Sequence, residues 1–210
     1  AKVSLMMPPY DAPAGLARQA LAVQGARGAG PPALLALTDP ARTPDPEAFA
    51  AAVPGGSAVI YRHFGAPDRF TIAADLARVA QARELVFLVS ADAELARACG
   101  ADGQHFPETR LDEARHARRR GDPGLFTAAC HSRKALERAA RAGIDAVLLS
   151  PILPSRSPSA VRPLGLMRAA ALVRTSTLPV YALGGINAQS GRRLGGFGFS
   201  GMAAVDGLTG

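Results

Sequence analysis

From residue 33 onward, the chain alternates between short apolar runs and longer stretches in which apolar residues recur at helical spacing. Leu76, Val79 and Ala80 illustrate that spacing. We predict that the short runs are β-strands separated by helices, which makes neighbouring strands parallel with right-handed crossovers. The predicted strands are Ala33–Thr38, Ala58–Tyr61, Leu85–Val89, Gly103–His105, Leu125–Ala129, Ala146–Leu149, Val180–Leu183 and Met202–Val205.

The number of strand–helix units decides between two α/β architectures. Eight units close naturally into a barrel, whereas a doubly wound open sheet usually has fewer. No glycine-rich dinucleotide-binding fingerprint stands near the first strand, which removes the main argument for an open sheet. We therefore predict a single (β/α)8 TIM barrel over residues 33–210, preceded by an N-terminal extension and helix over residues 1–32.

The predicted barrel has an additional helical stretch before its first strand and few residues after its last strand. The residues after Val205 leave no room for a full eighth helix, so we predict that the last helix is shortened or missing. Ala14–Val23 forms a good helical stretch, and we hypothesise that it covers the apolar surface that a last helix would hide. Asp68 and Ser132 are the predicted N-caps, and Gly143 is a predicted C-cap.

Length and composition narrow the class of protein. A chain of 210 residues with 48% hydrophobic residues fits one globular domain. No apolar run approaches the roughly 20 residues of a membrane-spanning helix, and Ala1–Tyr10 lacks the pattern of a secretory signal. We expect a cytoplasmic protein without a membrane partner, in which Cys99 and Cys130 are buried free thiols with no metal-ligand spacing.

The net charge of +7 raises the question of nucleic-acid binding. Nearly all of the positive charge is arginine, and it is densest in Arg115–Arg120, where a helix is predicted to end. Cations at a helix C-terminus interact favourably with the helix dipole, and few aromatic residues accompany these arginines for base stacking. We therefore favour a solvated helix end and expect no nucleic-acid partner.

Two loops at the C-terminal ends of predicted strands are candidates for phosphate binding, because barrel enzymes place their sites there. Gly184 and Gly185 link the seventh strand to a helix, where backbone N–H groups favour a phosphate; the alternative is a tight turn without a ligand. After the sixth strand, Ser155, Arg156 and Ser157 offer hydroxyls and a charge for a phosphate, although such loops are commonly only solvated.

A histidine at a third strand end is the candidate for acid–base chemistry. His131 follows the fifth strand and suits proton transfer near neutral pH; the alternative is a histidine that caps or packs against the next helix. Other candidates for the same role or for substrate contact stand after the second and fourth strands: Tyr61, Arg62, His63 and His105.

Taken in order, these segments resemble a known family over roughly residues 33–208. The run Gly100–His105 resembles the family's GADGVH motif, and Ala129–Ser132 resembles its serine–x–histidine–serine turn. Pro151–Ser157 resembles its PIFPTxTK loop, and Leu183–Asn187 its AIGGI phosphate loop. The family contains thiamine phosphate synthases, which join a pyrimidine pyrophosphate to a thiazole phosphate using Mg²⁺. It also contains TenI-like thiazole tautomerases, which shift a proton on the thiazole phosphate without a metal.

The chain departs from the synthase pattern where the resemblance implies magnesium ligands. An Asn-Asp pair after the third strand falls on Ser90-Ala91 here, and Ala91 cannot supply a carboxylate. Magnesium prefers carboxylate and phosphate oxygens, which Asp92 or Glu108 would provide only if their loops shift. The expected pyrimidine contacts are also replaced, by Ile60 and Phe64.

The phosphate side carries two further departures. Pro158 replaces the lysine of the phosphate loop, although Arg156 offers a charge nearby. Asp206 stands where a serine helps to bind phosphate, and a carboxylate there repels the anion unless Arg192 or Arg193 neutralises it.

These departures set the order of three functional hypotheses. The first is metal-independent proton transfer on a phosphorylated thiazole or related small phosphate, with His131 as the catalytic residue. The second is a Mg²⁺-dependent thiamine phosphate synthase, the one hypothesis that requires a cofactor; the third is a non-catalytic phosphometabolite-binding barrel. The partner is a small phosphorylated heterocycle, and a homodimer remains open. The predicted binding residues are Tyr61, Arg62, His105, Ser155, Arg156, Ser157, Gly184 and Gly185.

Overall fold

The apolar runs of the sequence form eight short strands that pair in parallel around a closed barrel, in chain order. The computed structural model describes residues 12–25, 30–155 and 162–205. The predicted barrel is confirmed, and the predicted strand ends differ from the observed ones by one residue in most cases. The strands are β1 Leu34–Leu37, β2 Ala58–Tyr61, β3 Val86–Ser90, β4 Gly103–Phe106, β5 Leu125–Cys130, β6 Ala146–Leu149, β7 Val180–Ala182 and β8 Gly201–Ala204.

Helices connect the strands as the parallel order requires. They are α2 Pro46–Ala52, α3 Arg69–Ala82, α4 Ala93–Ala98, α5 Leu111–Arg119, α6 Arg133–Arg141, α7 Leu166–Thr175 and α8 Ala188–Gly191, while α1 Ala12–Gln24 precedes β1. Within the described ranges, none of these helices is long and apolar enough to cross a membrane.

The three predicted caps all lie at the ends of their helices. The Ser132 hydroxyl accepts a 3.2 Å hydrogen bond from the backbone N–H three residues further on, at the start of α6. Gly143 follows α6 with φ +78°, a left-handed conformation that glycine adopts without strain. Asp68 is the N-cap residue of α3, as predicted, but its side chain makes no capping hydrogen bond. The side chains of Asp45 and Asp92 make N-capping hydrogen bonds at the starts of α2 and α4.

Side chains alternate between two apolar layers because successive residues of a strand face opposite sides. Leu35, Ile60, Leu88 and Leu148 fill the inside of the barrel. The other faces of the strands pack against the helices in a larger outer layer. Inside the barrel, the Tyr181 hydroxyl donates a 2.7 Å hydrogen bond to the Pro31 carbonyl, which satisfies a phenol that is otherwise fully buried.

The helix ahead of the barrel is part of its packing. Helix α1 contacts β1, β8 and α8, and Leu16 and Ala20 on its inner face are fully buried. This placement agrees with the hypothesis that α1 covers apolar surface beside the last strand.

The basic run lies at the end of α5, as predicted, but one of its arginines is not simply solvated. The Arg118 guanidinium lies 3.7 Å from the centre of the Phe126 ring and donates to the Gly143 and Gly124 carbonyls at 2.9 and 3.1 Å. It also pairs with Asp145. Arg118 thus joins α5 to the loops before β5 and β6, which is a structural role.

The two cysteines are free thiols. Cys130 is fully buried, as predicted, and burial raises its pKa to about 12. Cys99 is only half-buried, so the prediction of a buried thiol was wrong there. Its pKa is also raised by partial burial.

Truncation of the inner face of α1 tests its packing. We expect Leu16→Ala to lower the free energy of unfolding by about 2–5 kcal/mol, because it leaves a cavity at a fully buried position. Leu21→Ala on the same helix, at a side chain that is 61% exposed, should change it by less than about 0.5 kcal/mol. Urea unfolding of both variants makes the comparison. Equal effects would contradict the packing of α1 on the barrel.

Candidate functional site

The carboxyl ends of the eight strands meet at one mouth of the barrel, and most of the candidate residues stand there. On β2, Ile60 faces inward and Tyr61 outward, so the alternation turns Arg62 back toward the barrel axis. By the same alternation Ser90 on β3, His105 on β4 and Thr127 on β5 face inward. The mouth is therefore lined by polar side chains above an apolar floor.

Arg62 is held by the end of β1. Its backbone N–H donates to the Thr38 hydroxyl and its Nε to the Thr38 carbonyl, both at 2.9 Å. A terminal nitrogen lies 3.8 Å from the Asp39 carboxylate, too far for a hydrogen bond. That nitrogen is buried without a hydrogen-bond partner among the described residues. One terminal nitrogen of the Arg62 guanidinium is therefore available to hydrogen-bond a ligand.

The Asp39 carboxylate makes its shorter contact with Arg42 rather than with Arg62. Arg42 donates to Asp39 at 2.8 Å, and this hydrogen bond is the main reason that the pKa of Asp39 is lowered. The pKa of Arg62 is lowered mainly by burial, and the negative charge of Asp39 partly offsets this shift. Asp39 is therefore a shared counter-ion, and Arg62 receives its weaker contact.

His105 is a buried neutral group rather than a charged one. It is 4% exposed, and its Nδ1 lies 2.9 Å from the Thr127 hydroxyl. Burial, together with the nearby Arg62 charge, lowers the pKa of His105 to about 3. At neutral pH the ring adds no positive charge to the mouth. The adjacent Ser90 hydroxyl is buried without a partner in the described part of the chain.

Tyr61 lies away from the mouth. Its side chain is 2% exposed in the outer layer, and its ring stacks on His63 with the centroids 5.2 Å apart. Burial raises the pKa of Tyr61 to about 12 and lowers the pKa of His63. Neither ring shares the inward direction of Arg62, so we leave both out of the proposed site.

His131 is exposed at the end of β5 and is oriented by its neighbours. Its Nδ1 lies 2.9 Å from the Ser150 carbonyl and 3.2 Å from the Ser150 hydroxyl. A carbonyl only accepts hydrogen bonds, so we assign the proton to Nδ1, which leaves Nε2 as the basic atom. The backbone N–H of His131 donates to Glu108 at 3.1 Å. This arrangement suits a histidine that accepts a proton.

The loops after β6 and β7 touch each other. The backbone N–H groups of Ile152 and Leu153 donate to Leu183 and Gly184 carbonyls at 2.9 and 3.1 Å. A side chain at Gly185 would come 2.4 Å from the Pro154 carbonyl oxygen, and Gly185 has φ +67°. The paired glycines are thus required by close packing alone, whether or not a ligand binds.

The same turn leaves backbone donors free. In the ranges that the structure describes, the N–H groups of Gly184, Gly185 and Ile186 make no hydrogen bond. Consecutive backbone N–H groups in a turn of this kind can bind an anion. Ser155 follows the loop that packs on Gly185, whereas the predicted contacts Arg156 and Ser157 lie outside the described residues, as do Pro158 and Asp206.

The two carboxylates nearest to the ligand positions that the resemblance implies make hydrogen bonds within the chain. Asp92 accepts from the backbone at the start of α4 and pairs with Arg69 at 2.6 Å. Glu108 bonds the His131 backbone. Across the described ranges, no group of three or more histidine, cysteine, aspartate or glutamate residues is arranged to hold a metal ion.

Sequence reasoning missed Thr38, Ser90, Thr127 and Ser150 as parts of this site. Each is a small hydroxyl residue at or near a strand end, and strand alternation is the signal that would have pointed Ser90 and Thr127 inward. The partnership of Ser150 with His131 has no signal in the sequence, because the two residues lie 19 positions apart.

The buried neutral His105 predicts how stability depends on pH. The folded protein binds fewer protons than the unfolded chain between the ordinary histidine pKa of 6.5 and about 3, so stability falls as the pH is lowered through that window. From pH 6.5 to 5 the loss from this group is about 2 kcal/mol. His105→Asn should remove that loss, as measured by urea unfolding at both pH values. Thr127→Val, which keeps the histidine, should retain it; an unchanged pH dependence in His105→Asn would contradict the assignment.

Comparison with known proteins agrees with the motifs and the fold. A family model described as thiamine monophosphate synthase matches residues 34–208. A thiamine-phosphate synthase of Chromobacterium violaceum is 36% identical over 165 residues, which cover 76% of this chain and 78% of the relative. The thiamine-phosphate synthase of Lactococcus lactis subsp. cremoris strain MG1363 is 29% identical over 143 residues, covering 68% of this chain and 66% of the relative.

Among solved structures, a thiamine phosphate pyrophosphorylase from Pyrococcus furiosus has a similar fold, with a TM-score of 0.69 and 24% identity. The match covers 82% of this chain and 84% of the other. Because the family model spans all eight strands and a relative more than 30% identical covers three quarters of the chain, this protein belongs to the thiamine monophosphate synthase family.

Proposed function

We propose that this protein joins a pyrimidine pyrophosphate to a thiazole phosphate at the mouth of the barrel, which is the reaction of the second hypothesis raised by the sequence, with Arg62 in place of the expected magnesium ligands. The observation that carries the proposal is the presence of two separate anion-binding points at one mouth. Arg62 stands at the end of β2, and the free N–H groups of Gly184, Gly185 and Ile186 follow β7. A tautomerase needs one phosphate site, whereas a synthase needs two.

Arg62 suits the pyrophosphate of the first substrate. Its partly unpaired guanidinium is mostly buried, and a charged hydrogen bond is stronger where water is excluded. When the two heterocycles are joined, pyrophosphate leaves as an anion, and a fixed guanidinium stabilises the charge that develops. The neutral His105 beside it does not compete for the anion.

The loops after β6 and β7 suit the thiazole phosphate. Backbone N–H groups in a glycine turn bind a phosphate without needing a charged side chain. Ser155 adds a hydroxyl to the edge of this turn, and we extend the site to Arg156 and Ser157 on the sequence pattern alone. The two substrates would thus bind across the mouth, one near β2 and the other near β7.

The resemblance implies magnesium, but the ligand positions that it implies are changed in this chain. The described carboxylates nearest to the expected ligand positions, Asp92 and Glu108, are engaged elsewhere. We therefore assign the neutralisation of the pyrophosphate charge to Arg62. The published names of the relatives support the synthase reaction; the residues that would hold its metal differ in this chain.

Removal of the guanidinium tests the main proposal. We expect Arg62→Met to lower kcat/KM for thiamine phosphate formation by about 100- to 1,000-fold, as loss of a key electrostatic contact does. Arg97→Met, which removes an exposed arginine on α4, should leave it unchanged. The assay separates thiamine phosphate by liquid chromatography, with Mg²⁺ or with a chelator. No product under either condition would refute the synthase proposal.

A second candidate, proton transfer on the thiazole phosphate, is favoured by the orientation of His131. Its Nε2 is the free basic atom, since Nδ1 is engaged by Ser150. Proton transfer by a placed histidine contributes about 100- to 10,000-fold in rate. We expect His131→Ala to abolish exchange of solvent deuterium into the thiazole phosphate, measured by NMR, and Arg62→Met to leave it intact.

The two assays together separate the three hypotheses. Coupling that depends on Arg62 supports the synthase, and exchange at catalytic rates without coupling supports the tautomerase. Stabilisation by thiazole phosphate in a thermal-shift assay, with neither reaction detected, supports the non-catalytic phosphometabolite-binding barrel. The cytoplasmic location and the homodimer remain predictions from the sequence.

A further inference from the structure

A second pocket lies outside the barrel, between the start of α4 and helix α5, over the outer face of β4. Its volume is about 270 Å³. Gln104 and Phe106 of β4 form part of its lining, and the short side chains of Ala93 and Ala117 leave the space open. Because Gln104 faces the opposite side of β4 from the inward His105, this pocket is separate from the barrel mouth.

Gln104 is the unusual residue in this pocket. Its side chain is 7% exposed, yet it makes no hydrogen bond within the residues that the structure describes. A carboxamide has two donors and an acceptor, and the Gln104 amide atoms are not among the fully buried polar atoms, so they keep contact with accessible space. Gln104 lines the pocket. Its amide, which has no protein partner among the described residues, is therefore available to hydrogen-bond a ligand inside that pocket.

The charges around the pocket are already compensated. Its lining contains an aspartate, a glutamate and an arginine, and each of these is paired with a residue of opposite charge. The pairs are Asp92 with Arg69, Glu113 with Arg110, and Arg120 with Asp122. A charged ligand would have to break one of these pairs or remain unpaired in a half-enclosed space, which is unfavourable. The pocket thus favours an uncharged ligand.

We propose that this pocket binds a small, uncharged, planar heterocycle that presents a hydrogen-bond donor next to an acceptor. The Gln104 amide makes both hydrogen bonds, in the way that glutamine pairs with the edge of a nucleobase. Phe106 packs against the ring, and His116 stands at the edge of the pocket. The volume is at the lower limit for ligand pockets, about 300–1,000 Å³, and suits a ligand of one ring.

Titration with 2-pyridone, a planar lactam with adjacent donor and acceptor, tests this site by NMR of the intact protein. The signals of the Gln104 side-chain NH₂ are identified by their loss in Gln104→Met, a change that keeps the length of the side chain. We expect a saturable shift of these signals in the wild-type protein. We also expect Gln104→Met to weaken binding, followed through backbone signals of β4 and α5, at least about tenfold.

Three controls decide the outcome. Benzene, which has the ring but no hydrogen-bonding group, should bind at least about tenfold more weakly than 2-pyridone. Ala93→Leu fills the pocket without changing Gln104 and should abolish binding, which keeps the test decisive if Gln104→Met does not fold. Arg62→Met, at the barrel mouth, should leave the affinity unchanged, so failure of the synthase proposal would not affect this result.

No binding to the wild-type protein, equal binding of benzene, or binding unaffected by Gln104→Met and Ala93→Leu would overturn the proposal.

Discussion

Hydrogen bonds between β1 and β8 close the barrel, with Leu34 opposite Met202 and Ala36 opposite Ala204. The closure requires glycine at position 201, because a side chain there would come 2.3 Å from the Ala33 carbonyl oxygen and 2.5 Å from the Tyr181 ring. Once this seam is formed, no strand has a free edge, and all eight carboxyl ends lie around one mouth. The distances between residues far apart in sequence, on which the candidate site depends, follow from this closure.

In the proposed function, the two sides of the mouth bind anions by different means. Near β2 the binding group is a side chain, Arg62, whose charge is only weakly offset by Asp39. Near β7 it is the backbone, in a turn that close packing on the β6 loop already requires to be glycine. Between them His105 stays neutral because it is buried and because Arg62 is nearby. Positive charge inside the barrel is therefore concentrated on Arg62 rather than spread over two groups.

Family membership and chemical detail depend on different parts of the chain. The family match spans residues 34–208, and the barrel it describes is intact. The departures fall on side chains at strand ends, where a substitution alters the mouth without disturbing the strands. Ser90 illustrates this: it keeps its place in β3, opposite His105 of β4, while its small hydroxyl replaces a larger polar group of the family pattern. A barrel of this kind tolerates such changes, because its strands do not depend on the side chains at their ends.

The sequence by itself determined the barrel, because strand and helix periodicity are local properties that eight repeated units make unambiguous. It also predicted the glycine turn after β7 as a candidate phosphate site and His131 as a candidate acid–base residue, since each stands directly after an apolar run. Only the tertiary structure decided that Tyr61 lies in the outer layer, that Ser150 orients His131, and that the nearly buried Gln104 lines a pocket. These outcomes depend on which way a side chain faces and on contacts between distant strands. Local patterns do not encode such contacts, because barrel closure and register set them.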